Sequence, residues 1–128
     1  MILVTAAAGN QGRLLVPKLL DRGLPVRAVV RTEASGARLR DAGVAEVIVG
    51  DLADPEVQRR AVRDVASIYH VGATLSPGER AMGIGLIDAA READVSHFVF
   101  SSVLHSIVTD LVQHEIKRDV EEHLLASD

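Results

Sequence analysis

The sequence has no cysteine and no tryptophan, and its 128 residues include only one tyrosine and two phenylalanines. The absence of cysteine excludes disulfides, thiol catalysis and thiolate-bound metals. It also favours a reducing compartment, so we expect a cytoplasmic protein. With so few aromatic rings, a core must be built from Val, Leu, Ile and Ala, a mixture typical of a parallel sheet covered by helices on both faces.

The sequence also lacks an excess of positive charge and a long hydrophobic run. Fourteen Lys and Arg residues stand against eighteen Asp and Glu residues, which gives a formal net charge of −4. Since there is no basic cluster and few rings on which bases could stack, we expect no nucleic-acid partner. No apolar run approaches the length of a membrane span, no charged leader precedes the apolar start, and the five histidines show no metal-ligand spacing. We therefore expect neither a membrane partner nor a metal site.

What the sequence does contain is a regular alternation, within a length typical of one domain. Short apolar runs predict strands over residues 2–5, 26–30, 46–49, 67–70 and 97–101. Amphipathic stretches between and after them predict helices over residues 11–21, 34–41, 55–63, 79–92 and 109–126. This order predicts an α/β fold with a doubly wound parallel sheet of the Rossmann type. We expect five strands in the order 3-2-1-4-5, with ligands at the carboxyl ends near the switch between strands 1 and 4.

Residues that interrupt regular structure fall mainly between these elements. Gly23 and Gly43 follow the first two predicted helices, and Pro55 opens the third. Pro17 is the exception, because it lies inside the first predicted helix, where it removes a backbone hydrogen bond. We expect a kink rather than a break, since leucines on both sides of Pro17 continue one apolar face.

A glycine-rich turn, Thr5 to Gly12, joins the first strand to the first helix. Gly9 lets the backbone approach a diphosphate, Gly12 lets the helix pack closely on the sheet, and the helix N-terminus offers N–H groups to phosphates. The residues predicted to bind the diphosphate of NAD(P) are Thr5, Ala8, Gly9, Asn10, Gln11 and Gly12. The alternative is a tight turn without a ligand, and Ala6 stands where a glycine is usual.

Residues that follow the next strands predict the rest of a dinucleotide site. Arg31 ends the second strand where an acidic residue would bind the ribose of NAD, and its guanidinium suits the 2′-phosphate of NADP instead. Asp51 and Leu52 could bind the adenine, although Asp51 could equally shape a turn. Gly72 and Ala73 leave room for the nicotinamide ribose, but a loop of small residues needs no ligand, and Arg31 could be a solvated strand-end residue.

These residues belong to a set of segments that resembles the NmrA-like branch of the atypical short-chain dehydrogenase/reductases. The matching segments are 5–12 (TAAAGNQG), 26–31 (VRAVVR), 50–52 (GDL), 87–93 (IDAAREA), 97–102 (HFVFSS), and Lys117 with 120–122 (VEE). The resemblance implies an NAD(P)-binding Rossmann core. Members of the family include redox-sensing regulators without turnover and reductases of quinones or phenolic compounds.

The resemblance also implies where a catalytic Ser, Tyr and Lys would lie. Ser101 and Lys117 occupy the places of the Ser and the Lys, but Gln113 occupies that of the Tyr, and the sole tyrosine, Tyr69, is in the fourth strand. The usual triad is therefore incomplete. His114, one turn from Lys117, is a candidate proton donor, with a surface histidine as the alternative. Lys117 is also a candidate for ribose contact, with an exposed helix lysine as the alternative.

In the family that the sequence resembles, the last predicted helix is followed by another strand and a region that supplies most substrate contacts. We therefore expect residues 1–128 to form one NAD(P)-binding domain that lacks this part. The favoured function is binding of NADP (or NAD) as a redox sensor or cofactor-binding module. The alternative is an NADP-dependent reductase of a small carbonyl or quinone-type substrate. The edge beside the fifth strand would be bare, which predicts a homodimer or a protein partner.

Overall fold

Five parallel strands form one sheet in the computed structural model, which describes residues 1–73, 76–108 and 110–127. The strands are β1 (Ile2–Val4), β2 (Val26–Val30), β3 (Glu46–Val49), β4 (Ser67–Val71) and β5 (His97–Ser101). Their order across the sheet is β3-β2-β1-β4-β5. The predicted α/β fold, its doubly wound sheet and its strand order are therefore confirmed.

In the described residues, one helix follows each strand, which makes five. They are α1 (Gly12–Leu20), α2 (Glu33–Asp41), α3 (Pro55–Val62), α4 (Glu79–Glu92) and α5 (Val112–Leu125). The predicted start of the last helix, Thr109, lies outside the described residues. The helix begins at Val112, because Leu111 is extended, with φ −102° and ψ 115°. Pro17 lies within α1, which continues through it to Leu20.

The helices cover the two faces of the sheet as two hydrophobic layers. Along β1 the side chains alternate, so Leu3 and Val4 point to opposite faces. Val4 packs in a cluster with Val16 of α1. Leu3 packs in the other cluster with Val57 of α3 and Leu86 of α4. Crossovers thus place α1 and α2 on one face, and α3 and α4 on the other.

The turns between elements use the residues that their backbone geometry requires. Gly23 and Gly43 follow α1 and α2 with φ of 69° and 96°, a left-handed conformation that suits glycine. Thr32 and Asp54 are the N-caps of α2 and α3, and each side chain accepts a hydrogen bond from a backbone N–H of the first turn. Gly23 and Gly43 lie at the amino ends of the strands that follow them, whereas Thr32 and Asp54 lie at the edge formed by the carboxyl ends of the strands.

Candidate functional site

A cavity of about 610 Å³ opens at this edge, over the carboxyl ends of β1 to β4. Four segments line it: the glycine loop (Thr5–Gly12), the junction of β2 and α2, the turn after β3 and the segment after β4. The lining residues that we use below are Thr5, Ala6, Ala8, Gly9, Arg31, Thr32, Ser35, Asp51, Leu52, Ala73 and Ser76. A site at the switch between strands 1 and 4 is what a Rossmann-type topology provides.

The glycine loop is close-packed around Gly12. A Cβ atom on Gly12 would lie 2.5 Å from the carbonyl oxygen of Ala6 and even closer to that of Ala7. Ala6 stands where a glycine is usual in this loop. With a φ of 49° it adopts the left-handed conformation that suits glycine. This conformation costs a non-glycine residue roughly 1–2 kcal/mol. The backbone N–H of Gly9 donates to the carbonyl oxygen of Ala6 at 2.8 Å, which closes the turn.

The loop forms a backbone cradle that fits a diphosphate. Ala8 and Gly9 line the cavity with little or no side chain in the way. The first turn of a helix has N–H groups without intrahelical partners. At the start of α1 the N–H groups of Arg13 and Leu14 already donate to the carbonyl oxygens of Gly9 and Gln11, whereas the N–H groups of Ala8, Asn10 and Gln11 have no described backbone acceptor. An anion would therefore meet N–H groups of the loop that leads into the helix.

The predicted site residues divide into two groups. Those that line the cavity are Thr5, Ala8, Gly9, Arg31, Asp51, Leu52 and Ala73. Those that do not line it are Asn10, Gln11, Gly12, Gly72, Ser101, His114 and Lys117. The structure thus brings at least one predicted residue from each of four loops to one cavity, and the predicted catalytic residues do not line it.

The junction of β2 and α2 adds two hydroxyl residues that the sequence analysis missed. Thr32 and Ser35 line the cavity with Arg31. The Thr32 hydroxyl accepts a hydrogen bond from the Ser35 backbone N–H at 3.3 Å and donates to the Ser35 hydroxyl at 3.0 Å. Glu33, the nearest acidic residue in sequence, pairs with Arg40. The sequence contained a signal for these two residues, because Thr32 followed by Ser35 is an N-cap pattern. A helix that begins directly after a strand has its capping residues at the carboxyl edge of the sheet, where the site lies.

Asp51 and Asp54 shape the turn after β3. One carboxylate oxygen of Asp51 accepts a hydrogen bond from the Ala53 N–H at 2.9 Å, and one of Asp54 accepts from the Glu56 N–H at 2.8 Å. Asp51 lines the cavity as well, and its second oxygen has no part in that turn bond. Asp51 therefore shapes the turn, and its contact with the adenine stays a prediction.

A buried histidine fastens the start of the glycine loop to β4. Nδ1 of His70 lies 2.9 Å from the Thr5 hydroxyl, which accepts the backbone N–H of Val71 at 2.9 Å. His70 is completely buried, and its ring stacks on Phe100 with 5.6 Å between the centroids. Burial, and secondly the positive charge of Lys117, lowers the pKa of His70 to about 4. His70 is therefore neutral near pH 7.

Lys117 is buried in an ion pair with Glu79, the first residue of α4. Its Nζ lies 2.5 Å from Oε1 of Glu79, and the side chains are 7% and 2% exposed. Nζ also lies 5.3 Å from the centre of the Phe100 ring. The suggestion that Lys117 is an exposed helix lysine is therefore wrong. A Cβ atom on Gly72 would lie 2.5 Å from Oε1 and 2.7 Å from Nζ, so the ion pair accounts for the glycine at that position.

Ser101 and Tyr69 converge on one residue of the glycine loop. The Ser101 hydroxyl and the Tyr69 hydroxyl each donate to Oε1 of Gln11, both at 2.9 Å. The sequence analysis placed Ser101 near the cofactor but gave Tyr69 no role. Only the parallel pairing of β4 and β5, which sets Tyr69 beside Val99, brings the two hydroxyls to the same side of the sheet.

His114 is oriented by a strained residue in the β5–α5 segment. Its Nδ1 lies 3.0 Å from the carbonyl oxygen of His105, which has a φ of 59°. Because a carbonyl can only accept, Nδ1 donates, and Nε2 takes no part in this hydrogen bond. His114 lines a second cavity of about 550 Å³ with Ser76, which also lines the first cavity, so the two cavities are neighbours.

The fold and the cavity define an α/β protein of the Rossmann type whose ligand site lies at the switch point of the sheet. A sequence profile of the NmrA-like family matches residues 1–127. The chain therefore belongs to the NmrA-like family, as the resemblance implied.

Known proteins similar to this chain include enzymes and an assembly factor. An NAD(P)H azoreductase from Xenophilus azovorans is 36% identical over 102 residues, which cover 80% of this chain and 35% of that protein. A photosystem II assembly factor from Cyanophora paradoxa is 35% identical over 119 residues, with 82% and 35% of the two chains covered. An NADPH-dependent quinone oxidoreductase from Escherichia coli, solved with NADPH, has a TM-score of 0.86 and 24% identity over 99% of this chain and 45% of that one. The chain thus spans about a third of the curated relatives and less than half of the solved structure.

Proposed function

We propose that this chain binds NADP(H) in the cavity at the carboxyl edge of the sheet and serves as a redox-sensing or cofactor-binding module. One observation carries the proposal: a single cavity is lined by the glycine loop, by Arg31 and by Asp51 with Leu52. These are the positions at which a Rossmann site meets the diphosphate, the 2′-position of the ribose and the adenine. The azoreductase relative uses NAD(P)H, which supports the same ligand class.

The residues at the junction of β2 and α2 favour NADP over NAD. Arg31 offers planar donors, and Thr32 and Ser35 offer hydroxyls beside it. All three also lie at the N-terminal end of α2, where the helix dipole favours negative charge. In the described part of the chain, no carboxylate of β2 or α2 lines the cavity here, so the ribose 2′-hydroxyl of NAD has no acidic partner.

A titration of NADPH, NADH and NADP by calorimetry or by NADPH fluorescence tests the proposal. We expect NADPH to bind more tightly than NADH. Because a hydrogen bond to a charged group contributes about 1.5–3 kcal/mol, Arg31→Ala should weaken NADPH binding by roughly tenfold to a hundredfold and leave NADH nearly unchanged. Arg38→Ala is the matched control, since Arg38 is exposed on α2 and does not line the cavity. If wild-type protein bound none of the three nucleotides, the proposal would be wrong.

A second candidate is an NADP-dependent reductase of a small carbonyl or quinone-type acceptor. Its supports are the azoreductase relative and the fixed orientation of His114 beside the nucleotide cavity. The cofactor would supply a hydride, and a protonated His114 would supply the proton from Nε2. Lys117, buried against Glu79, would act by its charge rather than as a proton donor. Turnover of NADPH with a panel of quinones that falls in His114→Gln, but not in the exposed control His97→Gln, would favour this candidate.

We also propose that the chain associates with a second copy of itself through the edge beside β5. Among the described strands, β5 pairs on one side only, with β4. Exposed apolar side chains follow directly in the β5–α5 segment, with Leu104 78% and Ile107 79% exposed.

In the described part of the chain, no helix is long and apolar enough to cross a membrane. The cytoplasmic location stays a prediction, and fractionation of cells that produce the protein would check it.

A further inference from the structure

Two hydroxyl groups from different strands meet at one side-chain oxygen of the glycine loop. Oε1 of Gln11 accepts the Tyr69 hydroxyl of β4 and the Ser101 hydroxyl of β5. The donors lie 58 and 90 residues from Gln11 in sequence. These two bonds attach Gln11, the residue directly before α1, to both β4 and β5.

The start of the loop is fastened to the same part of the sheet. Thr5 bonds to β4 through its hydroxyl, which accepts the Val71 N–H and lies beside Nδ1 of His70. Gln11 bonds to β4 through Tyr69 at the opposite end of the loop. The segment between these anchors contains Ala6 in a left-handed conformation that an alanine adopts only at a cost. The loop therefore depends on its anchors to keep a conformation that its sequence does not favour.

We propose that Tyr69 and Ser101 are positioning residues for the dinucleotide, and that they act through Gln11 to hold the glycine loop in the conformation that binds the diphosphate. The inference rests on the proposed function. It gives Ser101 a positioning role in place of the catalytic one that the sequence predicted, and it gives the sole tyrosine a function in the site.

The energetic reason for such anchors is preorganisation. A hydrogen bond at an exposed position contributes little to folding, and both of these bonds are exposed. A loop that is already ordered loses less conformational entropy when a ligand binds, so the same bonds increase affinity. Since the anchors contact the loop and not the Arg31 side of the cavity, their effect should be confined to ligands that carry a diphosphate.

The test compares two ligands in variants that each remove one hydroxyl. We expect Tyr69→Phe and Ser101→Ala to raise the Kd for NADPH by about threefold to tenfold each. Adenosine 2′-monophosphate lacks the diphosphate, so its affinity should stay the same in both variants. Ser67→Ala is the matched control. Ser67 lies on the same face of β4 as Tyr69, and no hydrogen bond of its side chain is described.

A double-mutant cycle tests whether the effect passes through Gln11. Gln11→Leu removes both bonds from the loop side, so Tyr69→Phe and Ser101→Ala should weaken NADPH binding no further in that background. If one hydroxyl variant does not fold, as judged from its thermal melt, Gln11→Leu and the other variant still complete the comparison.

Three results would overturn the inference while NADPH binding by the wild type stands. They are an unchanged Kd for NADPH in both hydroxyl variants, an equal loss of affinity for adenosine 2′-monophosphate, and a loss of quinone turnover in Tyr69→Phe at unchanged NADPH affinity. The last would make Tyr69 a catalytic proton donor instead. Absence of NADPH binding in the wild type is a different result, because it refutes the proposed function itself.

Discussion

The absence of a side chain at Gly72 makes room for the buried ion pair of Lys117 and Glu79. A Cβ atom at that position would collide with both charged groups. Each charge has left water, so each depends on the other for compensation. The pair joins the start of α4 to the middle of α5, directly beneath the segment that follows β4. A change in one partner should therefore affect the stability of the whole domain.

We expect Glu79→Gln to lower the free energy of unfolding by about 3 kcal/mol or more, because it leaves the Lys117 ammonium buried without a counter-charge. Adding Lys117→Met should recover most of this loss. Glu115→Gln is the control, since Glu115 lies 3.8 Å from Arg80 at the surface, where such pairs contribute about 1 kcal/mol at most. Urea denaturation of the four proteins measures the effect. A loss below about 1 kcal/mol for Glu79→Gln would show that the pair is not a stability determinant.

His70 should make the stability of the domain depend on pH. Its pKa is about 4 in the folded protein and 6.5 when unfolded, so the unfolded state binds more protons between these values. Stability due to His70 is complete above pH 6.5 and is lost as the pH falls towards 4, by about 3 kcal/mol in total. His70→Gln should remove this part of the slope in urea denaturation curves, whereas His97→Gln at an exposed position should not. Parallel stability curves for the wild type and His70→Gln would contradict the assignment.

At the scale of single elements, α3 shows how local sequence sets a boundary. Asp54 accepts a hydrogen bond from the Glu56 N–H, and Pro55 occupies the first turn, where its missing N–H costs nothing. The sequence pattern was sufficient to predict this start. It was not sufficient for α5, which begins at Val112 because Leu111 is extended, while the predicted start, Thr109, lies outside the described residues.

The cap of α3 should account for a measurable share of stability. We expect Asp54→Ala to lower the free energy of unfolding by about 1 kcal/mol, since it removes the acceptor for the Glu56 N–H. Asp54→Asn retains an acceptor of the same shape and should lose much less. Thermal melts of both variants measure the difference. Equal losses for the two variants would mean that the charge, and not the cap, stabilises the helix.

At the scale of the whole molecule, self-association should depend on the segment beside β5. Exposed apolar patches often mark interfaces, and Leu104 and Ile107 are exposed in the segment that follows β5. Sedimentation velocity over a range of concentrations should show the average mass rising above the 13.7 kDa of the monomer. The double substitution Leu104→Ser and Ile107→Ser should suppress this rise. Leu14→Ser, at another exposed leucine, should not, and a wild type that stays monomeric would refute the proposal.

The sequence by itself determined the order of elements, the topology and the four loops of the site. Hydrophobic periodicity and turn residues are local properties, and right-handed crossovers leave few ways to arrange five such units. Gly9, Arg31 and Asp51 could be placed because each follows a predicted strand, and the carboxyl ends of parallel strands meet at one edge.

Only the tertiary structure decided which side chains face one another. Lys117 meets Glu79 because α4 and α5 pack side by side, and Tyr69 meets Ser101 at Gln11 because β4 and β5 pair in parallel beside β1. Contacts between residues far apart in sequence depend on strand register and helix packing. No local pattern carries that information. The tertiary structure thus showed that Lys117 is buried and that Tyr69 and Ser101 share one acceptor, while the catalytic roles suggested for Lys117 and Ser101 stay predictions.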